Sequence, residues 1–80
     1  MKRLYWDYYG GDAQGTAGHF MVHLADYLAR NGLAATARGV ESDRPGHGAA
    51  WAEVPDEAVE ALIKALRPKR MATLEGENDG

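Results

Sequence analysis

Residues 34 to 54, AATARGVESDRPGHGAAWAEV, decide the fold. Two stretches with valine, tryptophan and alternating small and polar residues, 34–41 and 48–54, flank the hexapeptide SDRPGH. Pro45 and Gly46 suit the two central positions of a type II turn, because proline presets the first φ and glycine accepts the positive second one. The segment therefore reads as a β-hairpin. Upstream, RLYWDYY at 3–9 is short, aromatic and closed by Gly10 and Gly11, which is the pattern of a strand followed by a turn. Between that strand and the hairpin, apolar residues at Ala13, Ala17, Phe20, Met21, Leu24, Tyr27 and Leu28 recur every three or four positions, marking one face of a helix over 12–31. Asp12 stands where an N-cap is expected, and Asn31-Gly32 closes the segment.

Downstream of the hairpin, Pro55, Asp56 and Glu57 open a second helix whose apolar stripe is Val59, Leu62, Ile63 and Leu66, ending at Arg67-Pro68. A short last strand, RMATL, covers 70–74. The order βαββαβ is the ferredoxin-like split βαβ pattern. With right-handed crossovers it implies a four-stranded antiparallel sheet of order 4-1-3-2 and both helices on one face. Residues 1–75 form one α+β domain on this reading, and 76–80 form a polar, disordered tail.

With 80 residues, 45% of them hydrophobic, the chain has material for one core and no more. A domain this small buries only about 60% of the surface of its unfolded chain, and the absence of cysteine removes disulfide support. Burial against a second copy is the natural supplement. No run of about 18 apolar residues is present to cross a bilayer, and no plain apolar h-region follows the basic start, so the reading is a cytoplasmic protein without a membrane partner. The net charge of −3 argues against nucleic acid and anionic membranes, which select for excess lysine and arginine. Nor does GAAWAEV carry the aromatic signature of an RNA-recognition strand.

Topology brings the exit of the first strand, the start of the first helix and the hairpin to one edge, so Gly10, Gly11, Asp12, Arg44 and His47 are expected to be neighbours. A glycine-rich approach to a helix N-terminus offers free N–H groups and partial positive charge, the elements of a site for a small anionic ligand. The resemblance to a phosphate loop stops there. The positions that should carry lysine and a hydroxyl hold Thr16 and Ala17.

His19 and His23, at i and i+4 on a polar flank of the first helix, could share a zinc or other divalent ion, with Asp12 or Asp26 as a further ligand. Zinc sites require three or four protein ligands, however, and the segment HFMVH lacks the glutamate of a metalloprotease helix. Ser42, Asp43 and His47 carry the residue types of a nucleophilic triad but share a hairpin tip that offers little support. An acid–base pairing of Asp7 with His23 has no specific signal.

The sheet face turned away from the helices is more informative. Alternation in strand 3–9 separates Leu4, Trp6 and Tyr8, facing the helices, from Tyr5, Asp7 and Tyr9, facing out. The same alternation leaves Ala49, Trp51 and Glu53 outward. Tyr5, Tyr9 and Trp51 then form an aromatic patch on two central strands, and such patches mark interaction surfaces. Asp7 in that setting calls for Arg3, Arg38 or Arg70 as its partner. The sequence thus favours a non-enzymatic binding or regulatory module without a cofactor. In this reading it forms a homodimer through the open face, with a small anionic ligand at the Gly10–Gly11 edge. A protein–protein interaction domain with another partner, and a metal-binding or acid–base enzyme using His19 and His23, are the alternatives.

Overall fold

The computed structural model describes residues 1–74, so the expectation of a disordered tail at 76–80 lies outside the described residues. The elements run β1 (Lys2–Tyr9), α1 (Ala13–Arg30), β2 (Ala37–Glu41), β3 (His47–Val54), α2 (Asp56–Leu66) and β4 (Arg70–Thr73). They build a single sheet of order β2-β3-β1-β4 in which β1 pairs antiparallel with both β3 and β4, and β2 with β3. This is the ferredoxin-like arrangement that the sequence pattern implies. The expected alternation holds for the helix-facing positions of β1 and β3, whereas Asp7 and Ala49, expected outward on the open face, are buried. Leu4, Trp6, Ala50, Ala52 and Val54 are buried in one core cluster with Ala17, Leu24 and Leu28 of α1 and Ala58 and Leu62 of α2, placing both helices on one face.

Two boundaries differ from the sequence reading. Strand β2 begins at Ala37 instead of residue 34. Leu33 and Ala35 pack against the core instead of entering the ladder, and the Thr36 N–H donates to the Glu53 carbonyl at 2.8 Å as the first link to the sheet. Alanine is a weak strand former, so nothing local opposes that diversion. At the other side of the hairpin, β3 begins one residue early, at His47. That single position carries the histidine out of the turn and onto the sheet.

Half of the twelve buried hydrophobic side chains are alanines, so the helix layer lies close to the sheet. Gly48 shows how close. A Cβ there would stand 2.8 Å from the carbonyl carbon and oxygen of Ala13, so only glycine lets the first turn of α1 rest on β3. Trp6 fills much of the remaining space. Its ring lies 5.0 Å from that of Phe20, and its indole N–H donates to the Leu66 carbonyl at 2.9 Å, satisfying the one polar atom the ring takes into the core.

Candidate functional site

The hairpin turn closes with the His47 N–H donating to the Arg44 carbonyl at 3.2 Å, and Gly46 takes φ 81°, as the central glycine of a type II turn requires. Gly10, at φ 125°, uses a conformation that side chains rarely adopt and donates its N–H to the Gly46 carbonyl at 2.9 Å. The two turns are thereby tied. Gly10, Gly11, Asp12, Arg44 and His47 all line one cleft of about 410 Å³ at this edge, so they are neighbours as the topology implies. The electrostatics of the cleft do not follow the same expectation. Asp12 occupies the N-cap position but makes no capping hydrogen bond; its carboxylate lies against Gly15, where an added Cβ would meet Oδ1 at 2.5 Å. The positive end of α1 therefore has a carboxylate of its own beside it. Arg44 gives its charge to Asp43, with Nη1 at 3.1 and 3.0 Å from the two carboxylate oxygens.

His47 is the most constrained group at this edge, only 5% exposed. Its Nε2 lies 2.8 Å from Oδ1 of Asp7, which is itself 8% exposed. Arg70 of β4 grips the same carboxylate from the other side, Nε to Oδ2 and Nη2 to Oδ1, each at 2.7 Å. The Asp7 pKa is lowered first by the Arg70 hydrogen bonds and then by that of His47, against the opposing effect of burial. The carboxylate is therefore ionised, and with Asp7 as acceptor the hydrogen of a neutral His47 sits on Nε2. The other ring nitrogen, Nδ1, is buried without a hydrogen bond, although Oδ1 of Asp43 stands 2.9 Å away. Of the three arginines the sequence offered to Asp7, the structure uses Arg70, which register places beside Tyr5 across β1 and β4. Ser42 plays no part in a triad. Its hydroxyl is directed at the carbonyl oxygens of His47 (2.5 Å) and Arg44 (3.0 Å), and so serves the turn.

The aromatic face is present but dressed with arginine. Tyr5 and Trp51 are cross-strand partners in β1 and β3. The guanidinium of Arg3 lies 4.4 Å from the Trp51 ring centre, and that of Arg70 lies 4.1 Å from Tyr5. Arg3 also pairs with Glu53, on the same face. The indole of Trp51 stretches across Gly39 of β2, where a Cβ would approach it to 3.0 Å, so glycine is what allows the ring to lie flat on the sheet. Tyr9 is 69% exposed and leaves the patch for the hairpin edge, its ring 5.2 Å from that of His47.

His19 and His23 lie on the exposed flank of α1, as their spacing implied, with parallel rings 5.0 Å apart. They border a shallow depression with Tyr8, Asp12 and Phe20. Asp26 is turned to Arg30 at 2.9 Å. Among the described residues no group of three or more histidine or carboxylate side chains is placed to hold a metal ion. Asp7 is paired with His47 and not with His23.

The Arg70–Asp7–His47 network was the part that sequence reasoning missed as a unit. Asp7, the one acidic residue inside an aromatic strand, was its only local signal. Among the described residues no helix is long and apolar enough to cross a membrane. Comparison of the chain with protein-family models, curated proteins and solved structures finds no match.

Proposed function

We propose that the protein is a small binding module that self-associates through its open sheet face, without catalysing a reaction. The observation that carries this reading is the flat, internally neutralised centre of that face. Tyr5 and Trp51 are half-buried under Arg70 and Arg3, whose charges are matched by Asp7 and Glu53. Tyrosine, tryptophan and arginine are the side chains that dominate binding hot spots, since each combines a large contact area with directed polar groups. Because the arginines already have carboxylate partners, a second copy can cover the face without leaving a buried charge unpaired.

A second copy suits the face better than nucleic acid, because Arg3 and Arg70 are already paired with Glu53 and Asp7 and leave no excess of positive charge for phosphates. It also suits the face better than the sheet edges. Strands β2 and β4 are short, and β4 opens with a charged arginine, which are features that discourage edge pairing. The four strands make a face of roughly 400 Å² per copy, at about 3.4 Å per residue and 4.8 Å between strands. An interface of that size supports a concentration-dependent association, not an obligate dimer. Sedimentation velocity from about 10 µM to 1 mM, bracketing the affinity of a small interface, should show a monomer passing to a dimer. Trp51→Ala, verified as folded by circular dichroism, should remain monomeric. A wild-type monomer throughout the range overturns the proposal.

A further inference from the structure

A neutral His47 can serve only one of the two carboxylates that face its ring. Both ring nitrogens face carboxylates, Nε2 toward Asp7 at 2.8 Å and Nδ1 toward Asp43 at 2.9 Å. A neutral imidazole has one N–H. With that hydrogen given to Asp7, Nδ1 presents a lone pair to the lone pairs of Asp43, and two acceptors at this separation repel. The doubly protonated ring donates to Asp7 and sets its positive charge 2.9 Å from Asp43. Asp7 cannot adapt, since it is buried and clamped by Arg70. Asp43 can, because its side chain is exposed and held only by the exposed Arg44 beside it.

We propose that Asp43 is a proton-controlled cap on Nδ1 of His47. When His47 carries two protons, the imidazolium bridges Asp7 and Asp43, and the cap is shut. When it carries one, Asp43 turns outward with Arg44, and Nδ1 becomes an unoccupied acceptor in the floor of the adjoining cleft. That cleft measures about 250 Å³ and lies beside Tyr9, Glu41 and Arg70. The turn itself stays anchored in both states, because the Gly10 N–H remains bonded to the Gly46 carbonyl. The moving part is therefore the side chain of Asp43, with that of Arg44.

Every charged group around the ring enters this balance. From β1 come Asp7 and the Tyr9 hydroxyl, from β4 Arg70, from β2 Glu41, and from the turn Asp43 and Arg44, while Asp12 stands at the start of α1 across the larger cleft. Asp7 and Asp43 are the carboxylates in contact with the ring, and Arg70 is compensated by its two bonds to Asp7. Histidine is the side chain whose charge ordinarily changes between about pH 5 and 8, and that is the range over which the cap is to be tested. The inference does not depend on self-association, since all the groups belong to one copy.

Nitrogen-15 NMR of the imidazole and backbone, recorded from about pH 5 to 8.5 to span histidine titration, tests it in wild type and in Asp43→Asn. In wild type, Nδ1 should lose its proton first, and the amides of Asp43 and Arg44 should shift with the same midpoint as the ring. The carboxamide introduced by Asp43→Asn can donate a hydrogen to the neutral ring and so keep the cap shut. In that variant the ring still titrates, while the pH-dependent shift at positions 43 and 44 falls by at least half. Three results overturn the proposal: a neutral ring with its hydrogen on Nδ1, amides of Asp43 and Arg44 that ignore the ring's titration, or an Asp43→Asn profile identical to wild type.

Discussion

The two histidine-bearing regions of this molecule reverse the order of interest that their sequences suggest. His19 and His23 have motif-like spacing, lie on a regular helix and end up exposed, stacked on each other and, among the described residues, short of a third ligand. His47 has no motif around it, yet it is buried with both nitrogens against carboxylates and its principal partner clamped by an arginine. Spacing along a helix guarantees only that two side chains can meet. A constrained polar site also needs neighbours from other elements, and His47 draws them from β1, β4 and the hairpin.

The largest effect should come from removing the acceptor common to this network. Asp7→Ala leaves His47 buried without its partner and releases Arg70, and a loss of about 3 kcal/mol of unfolding free energy is expected from the breaking of a buried, charge-assisted pair. Urea denaturation measures it. His19→Ala and His23→Ala on the exposed flank should stay within about 0.5 kcal/mol of wild type. Equal losses in the two regions would erase the distinction.

A second contrast uses glycine. Gly48→Ala drives a methyl group into the backbone of Ala13 and Gln14 at 2.8 Å, so the start of α1 must lift from β3. A loss of roughly 2 kcal/mol is expected, as for other overpacked cores, with amide shifts reaching Gly11 and His47. Gly18, on α1 between the two regions, has nothing within 4 Å of its missing Cβ. Gly18→Ala should therefore stabilise by roughly 0.5–1 kcal/mol through helix propensity. Thermal unfolding of both variants checks the opposite signs.

Acid provides a subtler separation. Because the Asp7 pKa is lowered in the folded state, chiefly by Arg70, its ionised form contributes stability that is present above the unfolded carboxylate value of about 3.9 and is lost as pH falls through the folded value. The stability gap between wild type and Asp7→Asn should therefore narrow below about pH 4. Denaturation at pH 3 and pH 6 would show it. A gap that widens in acid would mean that the ion pair with Arg70 is not what stabilises the carboxylate. The smallest effect is expected from zinc. At tenfold excess it should move the melting temperature of wild type by no more than about 1 °C, as the two imidazoles have no third ligand among the described residues and a stable zinc site needs at least three.

The legible part of this fold was the part written in local periodicity. Val59, Leu62 and Leu66 announce α2, Leu4 and Trp6 alternate with Tyr5 and Asp7, and Pro45-Gly46 specifies a turn that the structure reproduces. Once topology is known, the meeting of Gly10, Gly11, Asp12, Arg44 and His47 follows as well. What periodicity does not encode is where side-chain charges settle. Arg44 faces the start of α1 but is taken by Asp43 next to it. Arg70 was one of three equivalent candidates for Asp7 until strand register chose it. The start of β3 at His47 sets that ring against Asp7 of β1, a contact across 40 residues of sequence that no local pattern encodes.

The central claim is that the open sheet face, and not the helix flank, is the working surface. Backbone and indole NMR shifts followed as wild-type protein is diluted from about 1 mM to 20 µM, across the range in which a small interface dissociates, test it most directly. The account predicts concentration-dependent shifts at the Trp51 indole N–H, Gly39, Tyr5 and Ala72, with none at His19 or His23. Shifts confined to the α1 flank, or none anywhere, would contradict it.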